Sequence, residues 1–290
     1  MNKRPERQGI MLAHPATEPK VTKLPQTILV QPKLRGERCW IAYQDEYSCL
    51  VSSYTNPFYF LDHIQKELDI LGQNELNFSY DGELYKHGWT QERINSAANR
   101  SVNRNPDSGN LEYHIFDIKW SDILQKERSL ILLDKVTSLI DYLSLKYIKV
   151  VPTYAIRKDI WESYTSHFTD QGYEGIILRN PEGLYEEKRS NNLLKYKPTE
   201  MDTYEIVEVL QAFDKYKKPK GMIGSFLVKT DKNNKTDVFR VGAGKLDHDK
   251  RIKYWKLKHA LIGKMLIVKH EKIKTENEIP LCCVTVDIQK

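Results

Sequence analysis

Beyond Pro198 the sequence changes its rhythm, and that change limits the folds open to it. Short β-type runs at 204–210, 224–230, 237–241, 265–270 and 282–288 are parted by Gly, Asn and Lys turns, with one helical stretch at 249–261. Five strands and a helix within roughly 90 residues match the economy of an OB-fold barrel. Upstream of Pro198, strand and helix mix. Runs at 27–32, to Tyr43, 50–54, 77–80, 111–120, 173–179 and 193–197 have strand character, whereas Leu61, Ile64, Leu68 and Leu71 recur at helical spacing. Further helices are expected at 132–145 and 159–171, the latter placing Trp161, Tyr164 and Phe168 on one face before Gly172. The stretch to Gln26, rich in Pro and charge, reads as an irregular lead-in. The expected fold is α+β: residues 1–198 forming sheets flanked by helices, and residues 199–290 forming an OB-fold barrel.

Charge divides at the same place. Residues 199–290 carry 19 basic and 13 acidic side chains, the whole net charge of +6, while residues 1–198 hold 26 of each. A neutral part followed by a basic one suits an enzyme core joined to a module that grips a polyanion. A well-solvated lysine-rich surface explains the charge as readily. With 17 Tyr, 8 Phe and 5 Trp, the chain has the aromatic content of a folded protein. No apolar run approaches the roughly 20 residues of a membrane span, and the polar N-terminus lacks a signal-peptide core. Cytoplasmic residence, or residence in a host's cytoplasm for a viral protein, is therefore expected. Cys39, Cys49, Cys282 and Cys283 form no CxxC pair, which argues against a zinc knuckle or a disulfide framework.

Common catalytic signatures are missing. Gly242-Ala243-Gly244 lacks a third glycine at dinucleotide spacing, Gly244-Lys245 is followed by Leu246, and no HExxH or GxSxG occurs. What remains is a set of Lys, Glu and Gly at strand edges. Lys33-Leu34-Arg35-Gly36 follows a buried strand, so the lysine amine can stand in a pocket. Taken alone, KxxG is far more often an exposed lysine before a turn. Asp81-Gly82-Glu83-Leu84 and Glu174-Gly175 each put a carboxylate at a tight turn, and two such groups suit a hard cation such as Mg²⁺. In Leu194-Lys195-Tyr196-Lys197 the alternation of a strand points Lys195 and Lys197 to one face, an arrangement that calls for an anion.

In this order, the segments resemble the covalent nucleotidyltransferase superfamily, and most closely the ATP-dependent DNA ligases of the compact bacteriophage type. Lys33 to Gly36 is similar to motif I with Arg38 on its following arginine, and 78–84 to motif III. His114-Ile115-Phe116-Asp117-Ile118 is similar to motif IIIa, Glu174-Gly175 to motif IV and 194–197 to motif V. Stretches at 224–226, 241–244 and 262–271 resemble the OB domain of the same enzymes. The likeness thus runs from about Met11 to Ile288.

The resemblance implies a nucleotidyltransferase (adenylation) domain followed by the OB barrel, and a three-step sealing of 5′-phosphate/3′-hydroxyl nicks, a reaction of DNA replication, repair and recombination. It implies that Lys33 takes AMP from ATP, that Lys195 and Lys197 assist as catalytic cations, and that Glu174 holds Mg²⁺ or Mn²⁺ with Glu83 as a second ligand. Gln31, Arg38, Glu83, Phe116, Glu174, Lys195 and Lys197 would bind the nucleotide, with Phe116 stacked on adenine and Glu83 and Arg38 on the ribose. Nicked duplex DNA is the implied partner of a monomeric chain with no obligate protein partner, gripped through phosphates. Arg35, Ser53, Lys215, Lys217, Lys218 and Lys220 are the candidate contacts, and a hinge is implied near 197–202.

Three departures stand out. Arg35 occupies the place of the aspartate in the ligase pattern KxDG. Ser53 stands where the next motif usually has arginine. The C-terminal segment lacks the arginines that orient pyrophosphate, leaving Lys290 or another lysine of that region as a substitute. Arg35 is expected to take over contact with the 5′-phosphate of the nick. An RNA ligase of the same superfamily is the nearest alternative, and a nucleic-acid-binding protein with a decayed pocket is the alternative from another class.

Overall fold

The computed structural model describes residues 7–44, 47–74, 76, 78–230, 238–271 and 279–289. Lys290, Asn77 and Asp237, each part of an expectation above, lie outside them. The chain divides into two compact units, Met1–Tyr196 and Lys197–Lys290.

The first unit is built on two five-stranded sheets. In one, the strands run Leu12–Pro15, Arg189–Tyr196, Gly175–Arg179, Thr27–Lys33 and Tyr154–Arg157 in spatial order. In the other the order is Tyr47–Ser52, Glu37–Gln44, Tyr80–Tyr85, Glu112–Ile118 and Ile148–Val150. Alternation along each strand sorts its side chains onto two faces. In the first sheet Ile28, Val30, Ile176, Leu178 and Leu194 face a core with Phe168 of the helix Trp161–Asp170. The opposite face carries Lys33, Gln31, Arg179 and Lys195, because Gln31 pairs with Ile177, which pairs with Lys195. In the second sheet Cys39, Ile41, Leu84, Tyr113 and Ile115 join Ile64, Leu68 and Ile94 of the helices Asp62–Gln73 and Gln91–Ala98 in the largest core. Its other face presents Arg38 and Glu83, directly opposite each other across two strands, and Phe116. Each sheet therefore buries one apolar face beneath helices and keeps one polar face for the site.

The lead-in is not irregular throughout. Leu12–Pro15 pairs in parallel with Arg189–Tyr196, and Glu18–Val21 is a short helix. The helix expected at 132–145 is a composite: Gln125–Leu130, a wider π-type turn over Ile131–Val136, and Thr137–Tyr142.

The second unit is a closed barrel of Thr199–Phe213, Pro219–Lys229, Val238–Gly242, Val284–Ile288 and Met265–Glu271, in that spatial order. The helix His248–Lys256 lies between the third and fourth strands in sequence, as in an OB-fold. Tyr204, Ile206, Phe226, Val228, Val241, Leu266 and Val268 fill the barrel. Among the described residues no helix is long and apolar enough to cross a membrane.

Candidate functional site

Lys33 ends its strand, and its backbone carbonyl accepts from Glu174 N at 3.0 Å. This pairing sets the two side chains together: Lys33 Nζ donates to Glu174 Oε2 and lies 3.3 Å from the Leu34 carbonyl. Glu174 is buried, and its other oxygen, Oε1, faces Arg35 Nη2 at 3.4 Å. The glycine of the lysine motif has a steric reason. A Cβ on Gly36 would stand 2.3 Å from the Leu84 carbonyl oxygen, and the Gly36 N–H donates to Glu83 Oε1 at 3.0 Å. Gly82 is confined in the same way, with the His114 carbonyl 2.5 Å from where its Cβ would be. The strands carrying Lys33, Glu83 and Phe116 can thus close around one space only with glycine at these positions.

Arg38 is fixed from three sides. It donates to both oxygens of Asp81, at 2.7 and 2.5 Å, and to the Met11 carbonyl at 3.2 Å, and its guanidinium lies 4.6 Å from the centre of the Phe116 ring. Burial would lower the Arg38 pKa, but the Asp81 carboxylate outweighs it and the net direction is upward. Tyr185 adds a bridge, donating to Asp81 Oδ2 at 2.6 Å and accepting from Met11 N at 3.1 Å.

Behind the ring lies a buried polar network. Arg179 donates to Gln31 Oε1 at 2.7 Å, to Asp117 Oδ2 at 2.6 Å and to Gln125 Oε1 at 2.9 Å, while Arg128 Nε donates to Asp117 Oδ1 at 2.7 Å. Gln31 in turn donates to the Phe116 carbonyl at 3.0 Å and to Thr153 Oγ1 at 2.9 Å. Burial alone would raise the Asp117 pKa, but Arg179 and Arg128 overcome it and hold the carboxyl below its ordinary range. Glu83 goes the other way. Burial raises its pKa despite Lys33, Arg38 and the Gly36 N–H, and the negative charge of Glu174 adds to the rise. Among the described residues no three or more His, Cys, Asp and Glu converge as a metal cluster. Glu83 and Glu174 are carboxylates close enough to influence each other, and carboxylate oxygens are the donor type a magnesium ion takes.

The first unit thus brings together Lys33, Arg35, Glu174, Glu83, Arg38, Phe116 and Gln31. Lys195 lies on the same face of the first sheet as Gln31. The strand stops at Tyr196, and Lys197 belongs to the second unit, where its Nζ lies 3.1 Å from Glu271 Oε1. Ser53 is buried and its carbonyl accepts from Gln8 N at 3.0 Å, and the exposed side chains of that turn begin at Tyr54. Lys215, Lys217, Lys218 and Lys220 are exposed around the hairpin turn between the first two barrel strands. Sequence reasoning quoted Asp81 beside Glu83 without giving it a role, and passed over Asp117, Arg128, Arg179 and Tyr185. Asp117 and Arg179 stood inside quoted segments, and their signal was a charged residue within an otherwise apolar strand run.

Comparison with known proteins gives a consistent result. A family model described as the ATP dependent DNA ligase domain matches residues 10–197. A DNA ligase from a Kenyan isolate of African swine fever virus is 32% identical over 268 residues, covering 87% of this chain and 61% of its own length. A Namibian isolate's DNA ligase is 31% identical with the same coverage. The chain therefore spans about three fifths of the length of these relatives. Among solved structures, one from a structure-function analysis of Lig E DNA ligases superposes with a TM-score of 0.74 at 20% identity, covering 97% of this chain and 99% of that one. At that identity the likeness is one of fold.

Proposed function

Because the chain belongs to the ATP-dependent DNA ligase family, we propose that it seals 5′-phosphate/3′-hydroxyl nicks in duplex DNA, using ATP and a divalent cation. The observation that carries this reading is the placing of Lys33 between two polar sheet faces, its amine on Glu174 and its neighbour Gly36 on Glu83.

Lys33 Nζ attacks the α-phosphorus of ATP. The ammonium gives up one proton beforehand and the amine a second as the P–N bond forms, while the bond to the β-phosphate oxygen breaks and pyrophosphate leaves. Positive neighbours favour the neutral amine, and Lys195 and Lys197 are assigned that part together with stabilising the phosphates. Phe116, backed by the Arg38 guanidinium, offers a flat apolar face to the adenine. Glu83 and Arg38 are assigned to the ribose, and Gln31, which holds the Phe116 carbonyl, to the nucleotide site behind the ring. Mg²⁺ held by Glu174 and Glu83 would supply charge neutralisation at the phosphates. AMP then passes to the 5′-phosphate of the nick, and the 3′-hydroxyl displaces it as the strand closes. The lysine cluster 215–220 is assigned to the DNA backbone.

The test mixes protein, Mg²⁺ and ATP with a duplex whose nick bears a labelled 5′-phosphate, with DNA or RNA on each side. Joining on the all-DNA nick, lost in Lys33→Ala, is the expected outcome. Joining only where RNA borders the nick would replace the reading with an RNA ligase. No change in any strand would overturn it in favour of a binding protein.

A further inference from the structure

Two residues beyond the nucleophile, Arg35 reaches the same carboxylate as the lysine does. Its Nη2 lies 3.4 Å from Glu174 Oε1, while Lys33 Nζ pairs with Oε2. A buried carboxylate thus has a side-chain cation at each oxygen. We propose that Arg35 is a resident counter-ion of Glu174, a positioning residue that holds this carboxylate in place at the oxygen Lys33 does not use, and that weakens divalent-cation binding at Glu174 in the nucleotide-free protein. The inference rests on reading Glu174 as a cation ligand.

The two partners of Glu174 differ in permanence. Lys33 must shed a proton to attack, and once it carries AMP its nitrogen is uncharged and bonded to an anionic phosphoryl group. Arginine keeps its charge across the accessible pH range. Glu174 is only 6% exposed at its side chain, where an ionised carboxylate without a counter-charge is strongly disfavoured. Arg35 removes that difficulty through every stage of the lysine's chemistry. The same charge opposes an incoming divalent ion, which must share Oε1 with the guanidinium or displace it. A carboxylate at position 35 would do the reverse, adding an oxygen donor beside Glu174.

The test needs no catalysis. The intact protein, free of nucleotide, is titrated with Mn²⁺ while the signal of the free ion is followed by electron paramagnetic resonance. Weak binding by the wild type is expected. Arg35→Ala should tighten binding by on the order of tenfold, Arg35→Asp should tighten it further, and Arg35→Lys should leave it weak. Each gain should vanish when Glu174→Gln is added. Arg35→Gln, close in size and still able to hydrogen-bond, serves if the other variants do not melt cooperatively. Equal Mn²⁺ affinity in the wild type and the uncharged variants would overturn the proposal, and so would a gain that survives Glu174→Gln. Because no nucleotide is transferred, a chain that failed to seal nicks would still pass or fail this titration on its own terms.

Discussion

Glu83 and Asp117 are both buried carboxylates, yet their neighbours move them in opposite directions. Two arginines surround Asp117, and the ionised form is the favoured one. Its contribution to stability is present above the ordinary aspartate pKa and is lost as pH falls through the depressed folded value. Asp117→Asn should therefore destabilise the protein at pH 7 by on the order of 3–5 kcal/mol, since it leaves two buried guanidinium groups short of a counter-charge. The gap from wild type should narrow as pH is lowered. For Glu83 burial wins, so the folded state favours the proton, and a cost appears as pH rises above the ordinary glutamate value. Glu83→Gln should be more stable than wild type at pH 7, converge with it near pH 4, and lose AMP transfer throughout. Denaturant melts across pH read both signs at once. At this scale the meeting of Lys33 with Glu174 was legible through the order of the motifs that carry them, and not through either residue alone. The sequence was opaque at Asp117, because the arginines that define its role come from positions 11 and 62 residues away.

The elements best read from sequence are those whose own periodicity decides them. Asp62–Gln73, with Ile64, Leu68 and Leu71 buried, and Trp161–Asp170, with Phe168 buried, follow the apolar spacing. Leu12–Pro15 could not be read that way. It has four residues, none of them fully buried, and it is a strand because the edge of Arg189–Tyr196 is there to receive it. Gln91–Ala98 escaped notice for a related reason. Two of its three buried residues are alanines, a faint apolar signal, and Thr90 supplies the start by accepting from Arg93 N at 3.3 Å. The terminal strand does more than complete a sheet, since Met11 just before it holds Arg38 through its carbonyl and Tyr185 through its N–H. Removing residues 1–15 should lower the melting temperature and expose a sheet edge that promotes self-association. It should also slow lysyl-AMP formation through Arg38. Light scattering and a self-adenylylation time course check the two effects separately, and an unchanged melting curve would mean that the strand contributes little to the fold.

At the scale of the whole molecule, the net charge of +6 lies entirely in residues 199–290, whereas the proposed bond-making residues, apart from Lys197, lie in the first unit. This division suits a DNA contact that positions without reading sequence. Phosphate neutralisation releases counterions, so affinity falls with salt at a slope of roughly 0.9 per phosphate contacted. The hairpin turn after Phe213 is well made for such contacts. Asp214 Oδ1 accepts from Tyr216 N at 2.8 Å and from Lys218 N at 2.9 Å, which holds the turn in shape while the lysines extend into solvent. Replacing Lys215, Lys217, Lys218 and Lys220 together with alanine should weaken nicked-duplex binding at low salt, with the loss shrinking as salt rises. The salt slope itself should drop by about 0.9 for each lysine that meets a phosphate. Lysyl-AMP formation without DNA should be untouched, which separates lost grip from lost chemistry. Binding and slope equal to the wild type would set aside the assignment of these lysines to DNA and make this turn a solvated loop.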